Sequence, residues 1–260
     1  MNAHHAKHGD GVKDVAFTVD DSAGIYNKAI ERGAQSVRAP ETLKDENGSV
    51  IVSSVKTYGD TIHTFVQRVD YKGPFLPSFK AHPLKEVLNT VMPIPGLQFM
   101  DHCVGNQPDG EMEPAASWYE KMLDFHRFWS VDDKQINTQY SSLRSVVVAD
   151  FDENVKMPIN EPANGLRKSQ IQEYCDFYGG AGVQHIAMRT EDIITTVERM
   201  KARGCEFLEK IPDAYYDRLE EGFKNVGIEV KEDMAIIRKL KILVDYDEKG
   251  YLLQIFMKPI

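Results

Sequence analysis

An α+β fold assembled from repeated strand-helix-strand modules is the class this sequence predicts, and three observations predict it. First, Gly179-Gly180-Ala181-Gly182-Val183-Gln184-His185-Ile186-Ala187-Met188 runs a glycine-rich turn into a short strand that opens on a histidine. Behind it, Glu191 to Arg203 reads as an amphipathic helix that stops at Gly204. Second, Met100-Asp101-His102-Cys103-Val104-Gly105 has the same design, one histidine at the head of an apolar strand, with the helix-like run Pro114 to Leu123 after it. Third, the segment that begins at Gly11 falls on the central stretch when displaced by 171 positions, matching Gly11 with Gly182, Val12 with Val183, Ala16 with Ala187, Asp21 with Asp192 and Gly33 with Gly204. Further on, at a displacement of 191, Gly59 to Phe65 matches Gly250 to Phe256 as a turn followed by a strand. An internal repeat of this kind implies stacked copies of one supersecondary module, each reading strand, helix, then further strands.

The whole chain bounds what the modules can do. Its 260 residues suit two domains or one large one, and a hydrophobic fraction of 42% is enough for a packed core. The run Met1-Asn2-Ala3-His4-His5-Ala6-Lys7-His8 lacks the apolar centre of a secretory signal, and no apolar run approaches a membrane span, which points to the cytoplasm. Cys103, Cys175 and Cys205 are odd in number and lack CxxC spacing, so they read as small buried hydrophobes rather than as disulfides or thiolate ligands. A net charge of -9 with scattered acidic residues disfavours nucleic acid as a partner.

Taken in order, Gly11 to Phe17 alternates as a strand, and Asp20-Asp21-Ser22 caps a helix that runs to Arg32 and stops at Gly33. His4, His5 and His8 form a polar amino-terminal cluster that reads as a solvated arm. The repeat places Asp14 where the central copy has His185, and His63 where the last copy has Gln254. The first copy therefore keeps the fold without the histidine. From Gly73 to Pro95 five prolines interrupt regular structure, so we assign residues 1–72 to an amino-terminal domain, 73–96 to a linker and 97–260 to a second domain. Phe125 to Val131 follows the second helix, and Ser141 to Ala149 is a strand by its β-branched density. Met157 to Pro162 is extended because each proline biases its predecessor away from helix, and Lys168 to Tyr174 alternates toward the glycine turn. Lys210 to Lys241 reads as surface helices. Ile242 to Phe256 reads as a pair of strands about Asp247-Glu248-Lys249-Gly250.

Two imidazoles on separate strands suit one divalent metal, and one added carboxylate would complete the facial triad that leaves positions open on non-haem iron(II). Either histidine alone is as well explained as a hydrogen-bonded core residue. Ser145, Asn160, Gln170, Gln184 and Gln254 on neighbouring strands read either as the lining of a pocket or as strand-end polars facing water.

Several longer motifs narrow this. Asp101 to Asn106, Phe125 to Asp133, Pro158 to Pro162, Lys168 to Gln172, Gly180 to His185 and Leu253 to Phe256 together resemble the 4-hydroxyphenylpyruvate dioxygenase family of the animal type over nearly the whole chain. The resemblance implies the vicinal oxygen chelate, or glyoxalase-like, fold: repeated βαβββ modules forming open half-barrel sheets with helices outside. It also implies an amino-terminal domain that binds no metal. Fe(II) would be held by His102 and His185, and the substrate pocket lined by Ser145, Asn160, Gln170, Gln184, Gln254 and Phe256. Ser145, Asn160, Gln184 and Gln254 would be the residues closest to the chemistry.

The implied reaction takes a small 2-oxo acid, 4-hydroxyphenylpyruvate, and dioxygen through oxidative decarboxylation, ring hydroxylation and side-chain migration to homogentisate in tyrosine and phenylalanine catabolism. The family also implies a cytoplasmic homodimer. Relative to it, the sequence begins inside the amino-terminal domain and stops at Pro259-Ile260, before the strand that carries the family's glutamate ligand. The expectation is that these residues alone are inactive, with Glu173 a solvated residue rather than a substitute ligand. The other readings are hydroxymandelate synthase, which shares substrate and metal, and a non-catalytic protein of the same fold.

Overall fold

The 171-residue displacement is visible in backbone geometry. The structure, a computed structural model, describes residues 2–131, 137–138, 141–163, 165, 168–208, 210–247 and 250–258. The first module comprises β1 (Asp14–Thr18), α2 (Ser22–Glu31), β2 (Ser36–Asp45), β3 (Gly48–Lys56) and β4 (Ile62–Arg68), preceded by α1 (Asn2–His8). Its sheet runs β1-β4-β3-β2, with β1 parallel to β4. A short helix, α3 (Leu88–Val91), interrupts the proline-rich stretch. The second module is β5 (Met100–Asn106), α4 (Met112–Leu123), β6 (His126–Val131), β7 (Asn137–Thr138), β8 (Ser141–Ala149) and β9 (Lys156–Ala163). Then come α5 (Gln170–Tyr178), β10 (Gly182–Met188), α6 (Ile193–Ala202), α7 (Asp213–Val226), α8 (Met234–Leu240), β11 (Leu243–Asp247) and β12 (Gly250–Gln254). The second sheet runs β10-β5-β9-β8-β6, with β7 beside β8 and β5 parallel to β9. The two complete modules thus share one βαβββ topology, first strand parallel to last, which is the expected α+β class.

The repeated helices begin and end alike because their boundary residues are alike. Asp21 is extended at φ -141° and accepts from the amide of Gly24 at 2.8 Å. Asp192, 171 positions on, is extended at φ -133° and accepts from Thr195 at 2.9 Å. Each satisfies an amide that the first helical turn leaves open. In the first sheet's neighbourhood the repeat even pairs with itself, since Val12 forms an antiparallel bridge with its equivalent Val183.

The chain divides into two compact units, Met1–His82 with Met100–Met188, and Pro83–Phe99 with Arg189–Ile260. In the first, α4 lays Met112, Ala115, Ala116 and Tyr119 on Cys103, Val146, Val148, Met157 and Ile159 of its own sheet, and each large apolar side chain buried this way contributes about 1.5–3 kcal/mol. Below α2, Tyr26, Ala29, Val55 and Phe65 form a second cluster. In the second unit Val197 of α6 packs with Tyr216, Leu219 and Phe223 of α7, Ile237 and Leu240 of α8 and Val244 of β11. The charged run from Lys210 to Lys241 is therefore helical as expected, with one apolar stripe on each helix turned inward.

Four expectations are corrected. Lys168 to Tyr174 does not extend toward the glycine turn as a strand but enters α5. Ser169 accepts from the Ile171 amide, the buried residues Ile171, Cys175 and Tyr178 recur at helical spacing, and Gly179 ends the helix at φ 81°. A five-residue polar alternation fits either period, and the caps decide it. The amino-terminal histidines are not all solvated either, although His5 is exposed. They lie on α1, where His8 is buried against the Tyr178 ring, with ring centroids 4.1 Å apart, and its Nε2 lies 2.9 Å from Asp60 Oδ2. Cys103 and Cys175 are buried, but Cys205 is only half-buried. Finally, β12 ends at Gln254, so Phe256 lies beyond the strand. Asp132, Asp133, Glu248 and Lys249 lie outside the described residues.

Candidate metal centre

Strand alternation sorts the second sheet into two faces. Cys103, Val146, Val148, Met157 and Ile159 face the α4 core. His102, Val104 and Asn106 of β5 therefore take the opposite face, together with Pro158 and Asn160 of β9 and Ser145 and Val147 of β8. On β10, Ala187 pairs with His102 and His185 with Val104, which puts both histidines on that same face. The register shifts between Val183 and His185, so Gln184 is the extra residue of a bulge, a device that re-aims side chains.

The two imidazole centroids lie 6.0 Å apart at an interplanar angle of 72°, a gap that two nitrogen-metal bonds of about 2.1 Å each can span. Each ring is held from behind. His102 Nδ1 donates to Asp101 Oδ2 at 2.8 Å, and His185 Nδ1 donates to Gln184 Oε1 at 2.9 Å. That fixes the tautomer with the lone pair on Nε2, the arrangement by which a metal-binding histidine is oriented. Burial, then the nearby His102, lowers the His185 pKa to about 4, so at neutral pH the ring is the uncharged form that ligates. Among the described residues no group of three or more His, Cys, Asp or Glu is placed to hold a metal.

The other sequence-derived candidates fall into two sets. Ser145 is buried and stands opposite Asn160 in register, and Asn160 stands opposite Asn106. With Gln184 beside His185, these belong to the histidine-bearing sheet. Gln170 opens α5 and is exposed, as is Glu173 in the same first turn. Gln254 and Phe256 belong to the second unit, where Gln254 Nε2 donates to Asp245 on the paired strand and the Phe256 carbonyl accepts from Leu208 at 2.9 Å.

In the first module, Asp14 stands where His185 would. Burial raises its pKa, and it accepts from Thr64 Oγ1 at 2.6 Å. His63 is committed at both nitrogens, to the Val15 carbonyl and the Tyr119 hydroxyl. Sequence reasoning missed Asp101 as the partner of His102, although a carboxylate directly before a candidate ligand was a signal. It also missed Asn106, four positions after His102 on the same face.

Comparisons with known proteins show what the chain is similar to. The sequence profile of the Glyoxalase/Bleomycin resistance protein/Dioxygenase superfamily matches residues 99–255. The 4-hydroxyphenylpyruvate dioxygenase of Tetrahymena thermophila is 62% identical over 100% of the chain, which spans 64% of that relative. The enzyme of the same name from Dictyostelium discoideum is 56% identical over 97% of the chain, which spans 69% of it. The chain thus covers about two thirds of the length of such relatives. Among solved structures, a mutant of 4-hydroxymandelate synthase from Streptomyces coelicolor superposes with a TM-score of 0.78 at 27% identity, covering 99% of this chain and 69% of that one.

Proposed function

Since the chain belongs to the Glyoxalase/Bleomycin resistance protein/Dioxygenase superfamily and, within it, to the 4-hydroxyphenylpyruvate dioxygenases, we propose that its protein is an iron(II)-dependent dioxygenase converting 4-hydroxyphenylpyruvate to homogentisate. The observation that carries this is the pair His102 and His185: two imidazoles on one sheet face, 6.0 Å between centroids, each with Nδ1 engaged by a neighbouring acceptor. Their donor set fits iron(II), which imidazole nitrogen suits and which carboxylate, water or substrate oxygen can complete. When bound, the iron supplies Lewis acidity and dioxygen activation for decarboxylation and ring hydroxylation.

The protein's own residues hold and aim the reactants. His102 and His185 hold the ion through Nε2, with Asp101 and Gln184 locking the rings. Ser145 and Asn160 face the same side of the sheet and offer hydroxyl and carboxamide groups to orient the substrate. In this reading Gln184 and Gln170 complete the substrate contacts that the histidine-bearing unit supplies.

In the same reading, residues 1–72 form a metal-free amino-terminal domain, 73–96 a linker and 97–260 the catalytic domain, in a cytoplasmic homodimer. The hydroxymandelate synthase alternative rests on a structural relative at 27% identity, against 62% for a namesake dioxygenase. The test is to load the intact protein with iron(II) without oxygen, add 4-hydroxyphenylpyruvate and dioxygen, and identify the product. Homogentisate is expected. Hydroxymandelate, or no turnover by the iron-loaded protein, would overturn the reading, and the native mass tests the dimer.

A further inference from the structure

The register between β5 and β10 slips twice, once on each strand. Gln184 is left over between Val183 and His185, and Asp101 is left over between Met100 and His102, which pair with Met188 and Ala187. Each left-over residue comes directly before a histidine. Its side chain meets that ring's Nδ1, at 2.9 Å for Gln184 and 2.8 Å for Asp101. The two strands thus repeat one device, in which a bulge redirects a side chain that a regular strand would send to the opposite face.

The device is repeated but its chemistry is not. Gln184 offers the ring a neutral carboxamide oxygen, Asp101 a carboxylate. A carboxylate draws the Nδ1 proton more strongly, which raises electron density at Nε2 and makes His102 the better donor of the two. Its charge is not spent elsewhere: among the described residues the ion-pair partner of Asp101 is His102, and Lys156, beside His102 in register on β9, forms no ion pair with it. With the two side chains 29% and 28% exposed, water screens that charge only in part.

We propose that Asp101 is a positioning residue that acts through His102 on the bound metal, its negative charge favouring iron(III) over iron(II) and so lowering the reduction potential of the site. This rests on the iron centre proposed above. Orientation alone needs only an acceptor, which the carboxamide of Gln184 supplies at His185. The carboxylate adds charge, and a negative charge behind a ligand is worth more to the ion of higher charge. A carboxamide behind each ring would hold both imidazoles and leave the ion harder to oxidise.

The test is a mediated redox titration of the intact iron-loaded protein, under nitrogen and without substrate, followed by the iron(III) signal in electron paramagnetic resonance. Asp101→Asn keeps an acceptor for Nδ1 and removes the charge. Its ratio of iron(III) to iron(II) affinity is expected to fall by roughly 10-fold, read as a rise of about 59 mV in potential. Gln184→Glu adds a carboxylate behind the other ring and is expected to shift the potential in the opposite direction. A residue that only orients its ring would leave the potential of Asp101→Asn at the wild-type value.

An unchanged or lowered potential in Asp101→Asn overturns the inference and leaves Asp101 an orienting residue. If that variant binds no iron, Gln184→Glu decides: a potential below wild type upholds the inference, an unchanged or raised one overturns it, and loss of iron from both variants overturns it as well. A wild type that binds no iron removes the metal centre itself, and this inference with it. A wild type that binds iron but forms no homogentisate removes the proposed reaction, and the response of the potential to Asp101→Asn still decides the role of Asp101.

Discussion

Gln184 Oε1 accepts the Nδ1 proton of His185 at 2.9 Å, so a residue that sequence reasoning assigns to substrate contact also holds a metal ligand in place. The bulge makes this possible, because in a regular strand Gln184 and His185 would point to opposite faces. Gln184→Leu should therefore weaken iron(II) binding by roughly 10- to 100-fold, the usual effect of losing an orienting partner, besides lowering turnover. Gln184→Glu, which keeps an acceptor, should retain most of the affinity. Metal titration of the two variants decides it, and undiminished affinity in Gln184→Leu would return the residue to substrate contact alone.

His102→Ala and His185→Ala test the centre itself. Each should abolish stoichiometric iron(II) binding while leaving the unfolding free energy of the metal-free protein within about 1 kcal/mol of wild type, since the two rings lie on the face away from the α4 core. Tight iron binding that survives either substitution would place the metal elsewhere.

A buried carboxylate on the α4 face of the same sheet makes a stability prediction. Glu161 of β9 accepts from the amides of Gly110 and Met112 at 2.9 and 3.1 Å, satisfying the start of α4, and meets Arg144 Nε at 2.6 Å. With its side chain 6% exposed, Glu161→Ala would leave the helix amides unpaired, at a cost of about 1–3 kcal/mol, while Arg144 keeps its ion pair with Asp109. Glu161→Gln keeps an acceptor and should cost less. Urea unfolding at pH 7 measures both, and a loss below about 1 kcal/mol for the alanine variant would show that water replaces the carboxylate.

What could be read from the sequence follows from how local each signal is. The repeat gave β1, α2, β10 and α6 because their caps are single residues, Asp21 and Asp192 opening the helices and Gly33 and Gly204 following them. His102 and His185 were legible as strand heads, but not the parity that puts them on one face, which depends on pairing between β5 and β10. Helix α5 was misread because its evidence lies in Ser169 and Gly179 rather than in the alternation between them. His8 was misread because what buries it, Tyr178, is 170 residues away. Asn106 lay within a recognised motif, but its burial gave no signal, since an asparagine at a strand end looks solvated until the tertiary structure covers it.

The last prediction concerns acid. His63 is fully buried, with Nδ1 donating to the Val15 carbonyl at 2.8 Å and Nε2 accepting from the Tyr119 hydroxyl at 2.7 Å. Both bonds are made by the neutral ring, and burial lowers its pKa from 6.5 to about 4. In the unfolded chain the imidazole protonates near 6.5, so between pH 6.5 and 4 the unfolded state binds more protons than the folded one. Stability from this group is complete above pH 6.5, falls as pH drops through that window, and loses about 3 kcal/mol by pH 4. In the metal-free protein His185, with its pKa also lowered to about 4, adds a slope of the same sign, so the informative quantity is a difference. Urea unfolding of wild type and His63→Gln between pH 7 and 4.5 should give a shallower pH dependence for the variant, whatever its stability at pH 7. Parallel curves would mean that His63 takes up its proton in the fold as readily as in the unfolded chain, with Tyr119 turning its hydroxyl to let it do so.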